Sequence, residues 1–193
     1  DDPYGDLYFD VPPPPSLLAL SAEVAGSRDY LVHCGSLSKI LSPGLRVGWM
    51  VAPPELLGKA VMCKQFSDAA TSTFAQATAA QYLQAGLLPA ALDRVRPVYA
   101  QRARTMVDAL RADLGEAVDF VAPGGGLFVW ARLTAPGADA AVFAQRAIDQ
   151  GVAFVPGTPF YARDADAATF RLSFATVNED KIREGVAKLA QAL

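Results

Sequence analysis

Short apolar runs mark the early part of the chain, a long helical periodicity fills its middle, and strand-like runs return towards the end. YLVHCGS at 30–36 and VGWMVAP at 47–53 are continuous apolar stretches, which predicts two buried strands with a loop between them. Pro53 and Pro54 turn the chain into a helical region that runs from Glu55 to about Leu114, rich in Ala, Leu, Gln, Arg and Met. Gly86, Pro89 and Pro97 should break or kink it into segments. Beyond Gly115 the pattern changes. AVDFVAP, GGG and LFVWARL predict a hairpin, AAVFAQRAIDQ a helix ended by Gly151, and VAFVPG and TFRLSFA two further strands. NEDKIREGVAKLAQAL reads as a closing amphipathic helix with Asn178 as its N-cap and acidic residues in its first turn, where the helix dipole favours them. The pattern therefore divides the chain into 1–53, a helical connection over 54–114, and a small α+β domain over 115–193 with a mainly antiparallel sheet. PPPP at 12–15 reads as a stiff surface loop.

Composition narrows the classes. With 193 residues, 52% of them hydrophobic, the chain can bury a core, and a net charge of -3 leaves no electrostatic footprint for nucleic acid or anionic lipid. Cys34, Cys63 and the single histidine, His33, lack metal-binding spacing and read as packing residues, so no metal site is expected. No apolar run approaches the roughly 18 residues of a membrane helix, and a cytoplasmic location is the expectation. The chain opens on DDPYGDLYF without a methionine, which suggests a fragment or a processed product.

The chemistry concentrates in SLSKILSPGLRVGW, residues 36–49. A loop lysine is usually a solvated charge, and Lys39 gains interest from its neighbours. Ser36 and Ser38 offer hydroxyls, Arg46 a planar fork suited to phosphate, and Gly44 and Gly48 permit close approach of the backbone. Together they describe a place for a phosphorylated ligand beside a nucleophilic amine. An amine near another cation and partly desolvated loses its proton more readily, and a neutral lysine forms a Schiff base with an aldehyde. The aldehyde that carries its own phosphate is pyridoxal 5'-phosphate. An N-terminal carboxylate could then keep the pyridine nitrogen protonated.

These residues carry a family resemblance. SLSKILSPGLRVGW resembles the cofactor-lysine segment of fold-type I pyridoxal-phosphate enzymes, and DDPYGDLYF the strand end that precedes it in class I/II aminotransferases. PGGGLFVW, GVAFVPGTPF and FRLSFA match, in order, segments of that family's C-terminal half, so the likeness spans nearly the whole chain. It is closest to the 2-aminoadipate and kynurenine aminotransferases and to the aminotransferase-like domains of MocR-type regulators. The resemblance implies an α/β fold comprising the end of a large cofactor-binding domain, a long interdomain helix and a small α+β domain. It implies that Lys39 forms the Schiff base and shuttles a proton between substrate Cα and cofactor C4′. Asp1 would pair with the pyridine nitrogen, Asp2 being the less favoured choice, and Tyr4 would bond the phenolic oxygen. Ser36, Ser38 and Arg46 would hold the phosphate, Arg171 would grip the substrate α-carboxylate, and Phe128 would lie near the substrate side chain.

Each residue also has a plainer reading. Arg171 could be a surface cation on an edge strand, DDPY a β-turn, Gly124 to Gly126 a plain hairpin loop, Phe128 a core aromatic, and PGTPF a loop-shaping segment near the substrate opening. Family features of the N-terminal half, namely a glycine-containing phosphate turn, a ring stacked on the cofactor and an Asn at its phenolic oxygen, have no counterpart in this sequence. The expectation is a homodimeric aminotransferase acting on an L-amino acid and a 2-oxo acid, of which this chain is the C-terminal part. A cofactor-binding effector sensor of a MocR-type regulator, an inactive remnant, and another reaction at Cα or Cβ such as β-elimination remain alternatives.

Overall fold

The computed structural model describes residues 2–193, which form two compact units divided between Val95 and Arg96. In the N-terminal unit, Ser16 caps the short helix α1, Leu17–Leu20, by accepting the Ala19 N–H at 3.2 Å. Two strands follow, β1 (His33–Ser36) and β2 (Gly48–Val51), paired antiparallel from His33↔Val51 to Ser36↔Gly48. The Trp49 indole lies across Gly35, where a Cβ would overlap the ring, and a Cβ on Gly48 would sit 2.9 Å from the Gly35 carbonyl oxygen. Gly48 therefore has a strand-packing reason to be glycine, and Gly44 meets nothing closer than the Ser42 hydroxyl.

Two expectations change here. Tyr30 belongs to a 3-10 turn, Ser27–Tyr30, so the first strand starts only at His33. The strands are also less buried than their apolar sequence predicts: Trp49, Met50 and Val51 are 47%, 42% and 42% exposed. Among the described residues β1 and β2 pair only with each other, and a ribbon of two strands cannot enclose its own side chains.

Three helices follow: α2 (Pro54–Ser67), α3 (Thr73–Gln84) and α4 (Leu87–Asp113). Ala69, at φ 60°, turns the chain between α2 and α3, and the Ser72 hydroxyl caps α3 by accepting the Ala75 N–H. Gly86, at φ 68°, makes the expected break between α3 and α4. The two prolines do not divide α4. Pro89 lies in its first turn, where the absent N–H has no intrahelical partner to lose, and the helix continues through Pro97. Cys63 on α2 is exposed and Cys34 partly buried, so Cys63 is not the packing residue its apolar surroundings suggest.

The C-terminal unit is an α+β body. Strands β3 (Val118–Phe120), β4 (Phe128–Leu133), β5 (Val155–Pro156) and β6 (Thr169–Ser173) form one antiparallel sheet in the order β3-β4-β6-β5. The β3–β4 connection, with Gly126 at φ 77°, is the expected hairpin. Period-2 alternation sends Val129, Ala131, Leu133, Phe170 and Leu172 into the core, all at 5% exposure or less. Helices α5 (Ala140–Asp149) and α6 (Glu179–Ala192) supply Phe143, Ala147, Ile182, Val186 and Leu189 to that core. Phe143, Phe154 and Phe170 meet one another with ring centroids 5.0–5.7 Å apart. Asn178 caps α6 by accepting the Lys181 N–H at 3.0 Å, and Gly151, at φ 80°, follows the end of α5, both as the sequence predicts. The other sheet face, with Phe128, Trp130, Arg171 and Ser173, carries no such aromatic core. Among the described residues no helix is long and apolar enough to cross a membrane.

Candidate functional site

Residues 37–47 form a closed loop between β1 and β2. Its neck is fastened by the Leu37 N–H donating to the Val47 carbonyl at 3.0 Å, and its first part is wound into a turn by the Leu41 and Ser42 N–H groups, both donating to the Leu37 carbonyl. Leu37, 4% exposed, is the apolar anchor of that turn. Anchoring Leu37 inward leaves Lys39 facing outward, so the amine is exposed and not desolvated as its neighbours suggested. Ser36 closes β1 and accepts the Ser38 N–H at 3.1 Å, a local turn that holds both hydroxyl-bearing residues just before Lys39.

Arg46 ends a 3-10 turn, Pro43–Leu45, in the left-handed conformation (φ 54°, ψ 37°). For a residue with a Cβ this costs about 1 kcal/mol. Its guanidinium folds back, Nη1 donating to the Pro43 carbonyl at 3.1 Å, and among the described residues its other N–H donors have no partner. The same 3-10 turn touches α3, which supports it.

The N-terminal segment reaches this loop through the backbone. The Asp2 N–H donates to the Cys34 carbonyl on β1 at 3.2 Å, and the Tyr4 ring centroid lies 6.0 Å from Lys39 Nζ. A tyrosine 35 positions earlier in the sequence is thus the amine's aromatic neighbour. The Asp2 carboxylate is engaged locally, accepting the Gly5 N–H at 2.8 Å, which is the turn reading of DDPY and disfavours Asp2 as a ligand group. Asp1 lies outside the described residues.

Arg171 and Phe128 belong to the C-terminal unit. On β6, Arg171 faces Trp130 of β4 in register, with Phe128 one pleat away on the same face. The guanidinium carbon lies 4.1 Å from the Phe128 ring centroid and 4.7 Å from that of Phe160. Phe128 is accordingly half-buried against a cation, not a core aromatic. Both residues border a cleft of about 490 Å³ whose other wall is α6 with Lys181, Glu184 and Lys188. The hydrogen bond from Lys181, reinforced by one from Lys188, holds the Glu184 carboxyl down at about 2. This is an exposed i,i+3 and i,i+4 charge network of a helix surface.

Phe160 is the residue that sequence reasoning missed, because PGTPF reads as loop-shaping. Gly157 carried the available signal: its N–H donates to the Thr169 carbonyl at 2.7 Å, and a Cβ there would run into the Thr169 side chain. A glycine in close contact with β6 holds the following 3-10 turn, Thr158–Phe160, over the open sheet face.

A family profile described as Aminotransferase class I and II matches residues 1–189. The chain is 42% identical over its whole length to the 2-aminoadipate transaminase of Thermus thermophilus, of which it covers 48%. It superposes with a TM-score of 0.92 and 41% identity on 49% of the crystal structure of LysN, an alpha-aminoadipate aminotransferase from Thermus thermophilus complexed with N-(5'-phosphopyridoxyl)-L-leucine. It is also 28% identical to 40% of the Bacillus subtilis HTH-type transcriptional regulator YhdI. The chain spans about half the length of the curated relatives it matches.

Proposed function

The chain belongs to the aminotransferase class I and II family, and its fold is that of fold-type I aminotransferases; from this we propose that the full polypeptide is a pyridoxal-phosphate-dependent aminotransferase moving an amino group between an L-amino acid and a 2-oxo acid. The observation that carries the reading is the loop of residues 37–47, which presents the Lys39 amine beside the Tyr4 ring, with Ser36, Ser38 and Arg46 on or next to the same loop. A primary amine, a phenol, two hydroxyls and a guanidinium suit an aldehyde, a phenolic oxygen and a phosphate, so the donor set fits pyridoxal 5'-phosphate. When bound, that group supplies an electron sink for bonds at the substrate Cα.

The protein residues do the rest. Lys39 would hold the cofactor's aldehyde through Nζ and, once the substrate amine has displaced it, would carry the proton to and from the substrate Cα as a free amine. Tyr4 would steady the phenolic oxygen, Ser36, Ser38 and Arg46 would hold the phosphate by charge-assisted hydrogen bonds, and Asp1 would pair with the pyridine nitrogen. Arg171 takes the substrate α-carboxylate, and Phe128 lies beside it near the substrate side chain. A homodimer and a cytoplasmic location go with this reading.

The test is made on the full-length polypeptide loaded with pyridoxal phosphate. Turnover with a panel of amino donors and 2-oxo acids should appear, and borohydride treatment followed by peptide mapping should leave a pyridoxyl group on Lys39. A pyridoxyl group elsewhere, or none, overturns the reading. The match to the regulator YhdI favours a second reading, an effector-sensing domain that binds the cofactor without transferring an amino group. Labelling at Lys39 with no turnover on any donor would select it, and an unlabelled, inactive protein would be the remnant.

A further inference from the structure

On the open face of the C-terminal sheet a guanidinium lies close to two rings. Phe128 approaches Arg171 from the sheet at 4.1 Å, and Phe160 covers it from the loop at 4.7 Å, both measured from the guanidinium carbon to the ring centroid. Phe160 is held in turn: Trp130, the register partner of Arg171, meets it edge to face at 5.5 Å and 85°. Tyr161 lies 6.3 Å from Trp130 on the same side. Among the described residues the Arg171 guanidinium donates no hydrogen bond to the protein and faces no carboxylate within ion-pair distance, while its backbone belongs to the sheet ladder. Two rings lie within 5 Å of the guanidinium carbon, and its N–H donors have no partner among the described residues.

We propose that Phe160 is a positioning residue that clamps Arg171 against Phe128, so that the guanidinium presents only its edge to a carboxylate. This rests on the reading of Arg171 as the substrate-carboxylate ligand. The physical case has two parts. A planar cation is attracted to the faces of both rings, and rings on both faces remove water there without competing for the in-plane donors. A guanidinium already held in one plane loses less conformational freedom on gripping a carboxylate through two parallel bonds. The Gly157 contact with Thr169 and the Trp130 edge contact keep the Phe160 ring over its target. The clamp acts equally on an amino acid and a 2-oxo acid, because both carry the same carboxylate.

The experiment uses the full-length holoprotein with Phe160→Ala, Phe160→Leu, Phe160→Tyr and Arg171→Ala. Phe160→Ala should raise KM for amino acid and 2-oxo acid together by about fivefold, the strength of one ring–cation contact, with kcat within about twofold. The cofactor absorption band should not change. Phe160→Tyr, which keeps a ring, should restore KM, whereas Phe160→Leu, which keeps only bulk, should not. In nuclear magnetic resonance spectra the Arg171 side-chain protons should be shifted upfield by the rings, and Phe160→Ala should lose part of that shift. A wild-type KM in Phe160→Ala, or full rescue by Phe160→Leu, overturns the clamp. An unchanged KM in Arg171→Ala, alongside a ring shift on Arg171 in the unsubstituted protein that Phe160→Ala reduces, instead overturns the carboxylate reading beneath it, so the two failures are told apart.

Discussion

The two units differ in where they keep their apolar residues. In the C-terminal unit, Phe143, Phe170 and Phe174 are fully buried, and α5, α6 and the inner sheet face all meet in one core. In the N-terminal unit, few apolar side chains are buried, and α2 leaves Leu56, Val61, Met62 and Phe66 exposed, Phe66 at 88%. Yet that unit carries Lys39, Tyr4, Ser36, Ser38 and Arg46, the residues of the proposed cofactor site. The difference teaches that the proposed chemistry would be borne by loops tied through backbone bonds, while side-chain packing secures the unit that carries Arg171. Changes in the Lys39 loop should alter reaction and leave folding alone; changes in the buried core of the second unit should do the opposite.

The largest effect that can break this division is Lys39→Ala. It should lower turnover by about 10⁴-fold while leaving the melting temperature of the apoprotein where it was, checked by steady-state assay and thermal unfolding. A large fall in melting temperature would show the exposed amine to be structural. Phe170→Ala should do the reverse, costing about 3–5 kcal/mol in denaturant unfolding through the cavity left beside Phe143 and Phe154. Phe66→Ser, at a position 88% exposed, should stay within about 0.5 kcal/mol in the same measurement. Arg46→Ala should weaken cofactor binding about tenfold in equilibrium titration, the strength of one charge-assisted contact, with little change in stability. The smallest effect is acid sensitivity of α6. The folded protein holds Glu184 at about 2 against an ordinary 4.5, so its contribution is complete above 4.5 and disappears as pH falls towards 2. Glu184→Gln should flatten the pH dependence of unfolding in that window.

Much of this was legible in the residues. The hairpin, the Asn178 cap, the Gly86 break and the helix stop before Gly151 all rest on interactions within a few positions, which sequence patterns encode directly. The Lys39 loop was legible for the same reason, since Ser36, Ser38, Lys39 and Arg46 fall within 11 residues of one another. Exposure was not. The apolar sequence of β2 predicts burial, yet burial depends on what covers a strand, and Cys63 shows the same gap on α2. Pro97 did not break the helix, which runs on through it from Leu87 to Asp113.

Local chemistry in the chain determined the elements, their caps and the Lys39 loop, because those depend on neighbours a few residues apart. The tertiary structure decided that Tyr4 sits against Lys39 and that Phe128, Phe160 and Trp130 gather around Arg171. Those meetings are set by strand register, by a glycine that lets a loop lie close on β6, and by backbone bonds between distant segments, and no spacing along the sequence expresses them.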